Sequence, residues 1–391
     1  MGLGIYISVP FCKTKCSYCN FASDVFSRAA FERYVSRVCA DIGRAPQIAG
    51  EMGGRIESEV DSIYLGGGTP TMLHPEQLQR IFDAVRNQFT LPPGAEITVE
   101  CAPGTLTPEV LDTLLRCGVN RVSLGVQSFI DAEAAAVGRL HKRVTVLDDI
   151  ARLRAAGVTN INVDLIAGLP HQSMESWRTS LHEAIATGAP HVSAYMLEVD
   201  EDSRLGRELI AGGTRYHAHF VPDEEATADF YLAACEALEG AGIAQYEISN
   251  FARSGFESQH NLKYWTRQPY LGFGVDAHSM LSSSEPGAEA VRFATADSLE
   301  KYIAGTSLQP MMVSREDAFE EYFFLGLRLN QGIDLRELSQ RYGNDAVESA
   351  RSTIEELITD GLLKSRGDRV RLTPRGRLLS NEVFQRFLAT A

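Results

Sequence analysis

The chain has 391 residues, 44% of them hydrophobic, which is enough to bury a large core and to hold more than one domain. Its formal net charge of −14 excludes a general nucleic-acid binder, because phosphate would be repelled except at a local basic patch. Seven cysteines, odd in number and mostly scattered, exclude a disulfide framework, and no stretch reaches the apolar length of a membrane span.

The apolar start, Met1-Gly2-Leu3-Gly4-Ile5-Tyr6-Ile7-Ser8-Val9, lacks a basic segment and a small-residue cleavage site, so it reads as a strand rather than a leader. Further strands are predicted at residues 62–65, 96–100, 121–126, 160–166 and 191–197, after the first at 5–9. Amphipathic helical patterns lie between them at 75–88, 108–116, 144–156 and 174–187. Gly118, Gly157 and Gly188 close three of these patterns, as a helix C-cap would. Six strand–helix units imply parallel strands with right-handed crossovers, in either a doubly wound sheet or a barrel. Both architectures gather ligands at the carboxyl ends of the strands. Cys39, Cys101, Cys117 and Cys235 fall within apolar patterns and read as buried free thiols.

Beyond about residue 200 the pattern loosens and becomes rich in turns and aromatics, which suggests a segment, 201–310, covering the open side of the first unit. Residues 311–391 read as a third unit. Helices are predicted at 315–330, 335–342 and 345–360, then a hairpin over 361–372 with Gly367-Asp368 at its turn, then a helix from Pro374. Helix–helix–hairpin is a winged-helix arrangement. From Met311 onward 12 basic residues face 13 acidic ones, although six of the basic residues cluster between Lys364 and Arg377. The near balance favours a packing or protein-docking module over nucleic-acid binding.

Cys12, Cys16 and Cys19 form a Cys-x3-Cys-x2-Cys run just past the first strand. Three thiolates so close together suit a cubane iron–sulfur cluster, because soft sulfur favours iron and a short loop can wrap one corner. With three protein ligands, one iron keeps an open position. The alternatives are a zinc knuckle, which would want a fourth ligand and finds no second Cys/His pair nearby, or thiols that merely fall close together. A cluster sensitive to oxygen and a set of free thiols both point to a reducing cytoplasm.

This motif resembles that of the radical S-adenosylmethionine (SAM) superfamily, with no departure from its spacing and with the typical aromatic Tyr18 before the last cysteine. The resemblance implies a 4Fe-4S cluster on the three cysteines. Its open iron is chelated by the amino and carboxyl groups of SAM, from which the cluster can split off a 5′-deoxyadenosyl radical. It also selects an α/β fold, a partial (β/α)6 TIM-like barrel followed by a C-terminal winged-helix-like α+β domain.

Leu65-Gly66-Gly67-Gly68-Thr69-Pro70-Thr71 follows a strand and precedes a helix, where glycines let a ligand approach the backbone or simply make a tight turn. No lysine of the P-loop type follows, which removes a nucleoside triphosphatase. Glu100, Gln127 and Asp164 sit at or near strand ends, with Arg139 in the connection after the fourth strand. Carboxylates inside apolar strands need a ligand or a salt bridge to offset their burial. This arrangement is similar to the oxygen-independent coproporphyrinogen III oxidase branch of the superfamily. Matched residue by residue, that branch would hold SAM with Tyr6, Gly67, Gly68, Thr69, Glu100, Gln127, Arg139 and Asp164.

Two departures separate this chain from the oxidase itself. Phe21 stands where the oxidase carries a further cysteine, and 11 residues precede Cys12 where the oxidase has a long extension. Both match the HemW-type heme chaperones. So does Gln259-His260-Asn261-Leu262-Lys263-Tyr264-Trp265, with the His-Asn-x-x-Tyr-Trp motif of that subgroup. The resemblance implies heme binding, transfer of heme to respiratory membrane hemoproteins, a homodimer, no nucleic acid, and a cytoplasmic protein that meets the inner membrane through its partners. His260, Tyr264 and Trp265 are candidate heme contacts, with imidazole as iron ligand and aromatic rings on the porphyrin face. The alternative for them is an aromatic cluster that holds the cover segment on the barrel. His278 is a second candidate ligand, and the oxidase reaction is the alternative function.

Overall fold

Alternation of side chains builds the first half of the chain. In β1 (Leu3–Val9), Leu3, Ile5, Ile7 and Val9 are fully buried against the surrounding helices, while Gly4, Tyr6 and Ser8 take the opposite face. The computed structural model describes residues 2–388. It continues with β2 (Val60–Gly67), β3 (Glu96–Cys101), β4 (Arg121–Gln127), β5 (Asn160–Ala167) and β6 (His191–Met196). Each strand pairs in parallel with the next one in the chain. Consecutive neighbours without a reversal are the order of a barrel, since a doubly wound sheet would change direction at a switch point.

The helices outside follow from their apolar stripes. Pro75–Gln88 starts on proline, receives a hydrogen bond from His74 N to Gln77 Oε1 (3.1 Å), and buries Leu78, Ile81, Phe82 and Val85 on one face. Burying such side chains is worth about 1.5–3 kcal/mol each. Pro108–Arg116 is capped by Thr107 through Val110 N (3.3 Å), and Met174–Ala186 by Ser173 through Ser176 N (3.2 Å). The helices Arg28–Gly43 and Ala45–Glu51 fill the long connection between β1 and β2.

The sheet does not stop at six strands. Beyond β6 lies the antiparallel strand β7 (Asn250–Ala252). Beyond β1 run β8 (Tyr270–Gly274), β9 (His278–Ser283), β10 (Ala288–Ala294) and β11 (Met311–Ser314); β8 is parallel to β1 and the others are antiparallel to their neighbours. With two-residue ladders at 54–55 and 244–245, thirteen strands are joined among the described residues. Residues 201–310 are therefore more than a loose cover, since they extend the sheet at both edges and contain the 17-residue helix Glu224–Gly240. Trp177 Nε1 donates to Phe230 O (2.6 Å), which fastens that helix to the barrel wall.

A second apolar core forms around Phe323, Leu327, Ile354, Leu357, Val370 and Leu372. It packs the helices Arg315–Gly326, Leu335–Tyr342 and Asn344–Thr359 on a small antiparallel sheet whose hairpin strands are Leu363–Arg366 and Arg369–Leu372. Arg267, with its side chain 3% exposed, pairs with Glu289 (3.2 Å) and Glu321 (2.8 Å), and Glu321 also takes Arg292 (2.9 Å). These ions tie β10 to the C-terminal helices. All seven cysteines are free; Cys101 and Cys117 are buried, and burial pushes the Cys101 thiol up to about 12. Among the described residues no helix is long and apolar enough to cross a membrane.

The barrel interior is polar. Asn162 Nδ2 donates to Ser123 Oγ (2.7 Å), Asp164 Oδ1 (2.7 Å) and Ser193 Oγ (3.0 Å), while its Oδ1 meets His191 Nδ1 at 2.6 Å. The face each strand turns inward carries this network, where branched apolar residues would fill an ordinary TIM barrel.

Candidate functional site

The three cysteines occupy the loop that leaves β1 at the barrel mouth. Backbone bonds clamp that loop from three sides. Cys12 N donates to Asp24 O (3.0 Å), Thr69 N to Phe11 O (2.7 Å) and Ser17 N to Val137 O (3.1 Å). Thr14 Oγ1 adds a bond to Gly138 O (3.0 Å) and Thr69 Oγ1 one to Cys12 Sγ (3.9 Å). Cys12 lies within electrostatic reach of both Cys16 and Cys19, and burial pushes the Cys12 and Cys19 thiols above the ordinary thiol pKa, which disfavours the thiolate. A bound cation would reverse that shift, since thiolate is the ligating form.

Among the described residues no three His, Cys, Asp or Glu side chains converge on a point that would hold a single metal ion. By donor chemistry, three soft sulfur ligands on one short loop suit an iron–sulfur cluster. The buried hydroxyl of Ser17 in the same loop has no partner, and that of Ser23 faces the Cys12 and Cys19 thiols. The residues present fit an iron–sulfur group.

The glycine turn after β2 lies directly against this loop. A Cβ on Gly68 would stand 2.8 Å from Val9 O and 2.9 Å from Phe11 O, and Gly67 has φ +94°. Only glycine lets the two loops approach this closely. Gly67 N donates to Glu100 Oε2 (3.1 Å), and Tyr64 Oη to Glu100 Oε1 (2.9 Å). Enclosure by protein, reinforced by the like charge of Asp164, lifts the Glu100 carboxyl to about 7. Asp164 accepts from Ser123 Oγ (2.9 Å) as well as from Asn162, and burial raises it too. Arg139 Nη2 donates to Tyr18 Oη (3.2 Å), while its buried Nε has no partner. Arg139 and Gln127 both reach the space above Gly125, within 3.2 Å of where a Cβ would sit there. Gln127 adopts φ +69°, an uncommon backbone for a residue with a side chain. Two carboxylates, a guanidinium with an open nitrogen and a glycine cradle together suit the ammonium, carboxylate and ribose groups of SAM.

The residues of the His-Asn-x-x-Tyr-Trp motif are placed differently from one another. They form the helix Gln259–Trp265. His260 is 1% exposed, with Nδ1 3.0 Å from Ser62 Oγ and Nε2 2.9 Å from Tyr264 Oη. Burial and the cation of Lys263 drop its imidazole to about 3, so it is neutral. Neither nitrogen is free to meet an iron unless this helix moves. Trp265 lies under the Arg328 guanidinium, 4.4 Å from its ring centre. Tyr264 reaches a cleft of about 340 Å³ together with Tyr6, Gly67, Gly68 and Tyr270. His278 lines the same cleft, its side chain 70% exposed and 3.9 Å from Asp276. It arrives there because β8 runs parallel to β1, with Gly274 beside Ser8, so the turn after β8 opens at the barrel mouth. Phe21 also lines the cleft.

Sequence reasoning missed Tyr64, Tyr270, Asp276 and Arg121. The inward half of each strand's alternation would have marked Tyr64 and Arg121. Tyr270 and Asp276 depend on a pairing between strands some 260 residues apart, and no local signal announces it.

A partial barrel of six parallel strands, with three thiols on the loop after the first, is the architecture of a radical SAM protein. Residues 6–184 match the Radical SAM superfamily model, and residues 313–379 match the HemN C-terminal domain. The fold overlays coproporphyrinogen III oxidase (HemN) from Escherichia coli with a TM-score of 0.83 at 24% identity, covering 100% of this chain and 91% of that one. The chain is 34% identical to the heme chaperone HemW of Bacillus subtilis over 98% of both chains. It is 31% identical to that of Escherichia coli over 99% of this chain and 98% of the relative. The chain belongs to the HemW heme chaperone family of the radical SAM superfamily.

Proposed function

We propose that this protein binds heme in the cleft at the barrel mouth and transfers it to respiratory membrane hemoproteins, with a SAM-ligated 4Fe-4S cluster on Cys12, Cys16 and Cys19 beside it. The observation that carries this reading is the shared wall. Tyr6, Gly67 and Gly68 border the cleft on the SAM side, and Tyr264, Tyr270, Phe21 and His278 border it with aromatic surface and an accessible imidazole. A volume of about 340 Å³ is at the low end of small-molecule sites, which span about 300–1,000 Å³. Phe21 contributes apolar surface where the oxidase would carry a thiol, which weighs against the decarboxylation reaction. When bound, the cluster and SAM would supply one-electron chemistry. The residues of this chain hold them in place: Glu100 and Asp164 take the SAM hydroxyls and ammonium, Arg139 takes its carboxylate, and the glycine turn excludes side chains from the contact.

His278 is the better ligand candidate of the two histidines, because it is exposed in the cleft while both nitrogens of His260 are engaged. The division into units 1–200, 201–310 and 311–391, a homodimer, a cytoplasmic location with access to the inner membrane through partners, and no role for nucleic acid complete the reading.

Titrating purified protein with hemin tests it. A saturable shift of the Soret band is expected for the wild type, with at least about tenfold weaker binding for His278→Ala, the equivalent of about 1.4 kcal/mol. His260→Ala should keep the His278-dependent spectrum. Absence of saturable binding in the wild type, or carbon dioxide release from coproporphyrinogen III under anaerobic reducing conditions with SAM, rejects the carrier reading.

A further inference from the structure

Arg121 opens β4 and points into the barrel interior, 1% exposed. Its Nε has no hydrogen-bond partner, and it enters no ion pair among the described residues. A guanidinium removed from water without a counter-charge is costly, so its surroundings must compensate. The strand register shows how. Arg121 stands level with Thr98 of β3 and Asn160 of β5. Two residues further along β3 comes Glu100, about 6.6 Å nearer the mouth at about 3.3 Å per residue, and four residues along β5 comes Asp164.

The groups that act on Glu100 are Asp164, the Tyr64 hydroxyl, Gly67 N and Arg121, and the cation among them is Arg121. Tyr6 and Tyr195 also stand within its field. Asp164 is faced by the hydroxyls of Ser123 and Ser193, by Asn162 and, again, by Arg121. Arg139 stands within reach of Asp164 from the connection after β4. The floor of the site thus carries one buried positive charge beneath two buried acids that repel each other.

We propose that Arg121 is a positioning residue for the SAM site, favouring the carboxylate form of Glu100 and Asp164 from beneath without touching the ligand. This rests on the SAM reading given above. The SAM ammonium is held by ionised carboxylate, so affinity falls as pH drops through the Glu100 midpoint near 7. Without Arg121 that midpoint rises, and the loss of affinity appears at higher pH.

Calorimetric SAM titrations of reconstituted protein between about pH 6 and 9 test this, with each variant expressed as a ratio to wild type so that SAM's own titration cancels. For Arg121→Gln a midpoint one unit higher gives about a fivefold loss near pH 7, about tenfold near pH 6 and less than about twofold near pH 9. Arg121→Lys, which keeps the cation, should follow the wild-type profile. A ratio independent of pH would mean a merely structural role and overturns the proposal, as does Arg121→Lys behaving like Arg121→Gln. Should Arg121→Gln not fold, Glu100→Gln decides, because it must flatten the wild-type dependence between about pH 6 and 8, and an unchanged profile overturns the inference. A wild type that binds no SAM at any pH removes the SAM reading itself and this inference with it, an outcome distinct from the others.

Discussion

Replacing Cys12, Cys16 and Cys19 together by serine is expected to leave anaerobically reconstituted protein colourless, with less than about one-tenth of the wild-type iron. Wild-type protein under the same conditions should turn brown and carry about four irons and four labile sulfides per chain. A serine hydroxyl is hard and stays protonated near neutral pH, so it cannot replace a thiolate. The loop itself should survive the change. It is held by Cys12 N to Asp24 O, Ser17 N to Val137 O and Thr69 N to Phe11 O, all backbone bonds that serine preserves. Circular dichroism and the thermal midpoint of the metal-free proteins should therefore agree closely, which separates loss of ligation from loss of fold. Zinc in stoichiometric amount, or a colourless wild type after iron and sulfide are supplied, would contradict the cluster and everything built on it.

The second large effect is structural and lies at the other end of the barrel. Glu96 begins β3 and is 7% exposed. Its carboxylate accepts from Gln259 N and His260 N (3.1 Å each) and lies 3.5 Å from Ser258 Oγ. It thus caps the helix Gln259–Trp265, satisfying amides that a helix start leaves open and placing a negative charge at the positive end of the helix. Lys263 fixes the same helix from its far turn, through Asp61 Oδ1 (2.6 Å) and Gly2 O (2.7 Å). Glu96→Ala leaves the buried His260 N–H and the part-buried Gln259 N–H without their acceptor, at about 1–3 kcal/mol each, and removes the charge from the helix start. A loss of roughly 3–5 kcal/mol in urea unfolding is expected, read as a lower midpoint at unchanged slope. Glu96→Gln, which keeps one acceptor oxygen, should lose less than half of that. Faster hydrogen exchange over residues 259–265 should accompany the alanine variant. A midpoint within about 0.5 kcal/mol of wild type would show that the helix is held by other contacts.

Much of the barrel could be read from the residues alone. The helices Pro75–Gln88 and Pro108–Arg116 begin and end where proline and apolar spacing place them, and Met174–Ala186 ends one residue short of the expectation. Such elements announce themselves because their apolar stripe, cap and stop signal are all local. The 201–310 segment was harder. Its strands β8 and β9 lie inside the sheet and are buried at consecutive positions, so the polar–apolar alternation of a half-exposed strand is weak. The helix Glu224–Gly240 is rich in alanine and lacks a sharp apolar face, which hides it from periodicity.

The candidate site divides along the same line. The three cysteines and the glycine turn are contiguous motifs, and their chemistry is legible at a glance because the ligands are neighbours in the chain. The His-Asn-x-x-Tyr-Trp motif is equally contiguous, yet its members part company in three dimensions. A helix turns successive residues to different faces, so His260 enters the barrel floor, Trp265 packs under Arg328 and Tyr264 reaches the cleft.

By itself the sequence determined the alternating strand–helix order, the thiol trio on the first loop and the acids at the strand ends, since each depends on residues close along the chain. Only the tertiary structure decided that the sheet runs on past the six barrel strands at both edges, that β8 joins β1 in parallel to bring His278 to the mouth, and that Arg121 lies buried beneath Glu100. Those outcomes depend on which distant strands share hydrogen bonds. Pairing of that kind is settled by the burial of the whole assembly and leaves no mark on any one segment.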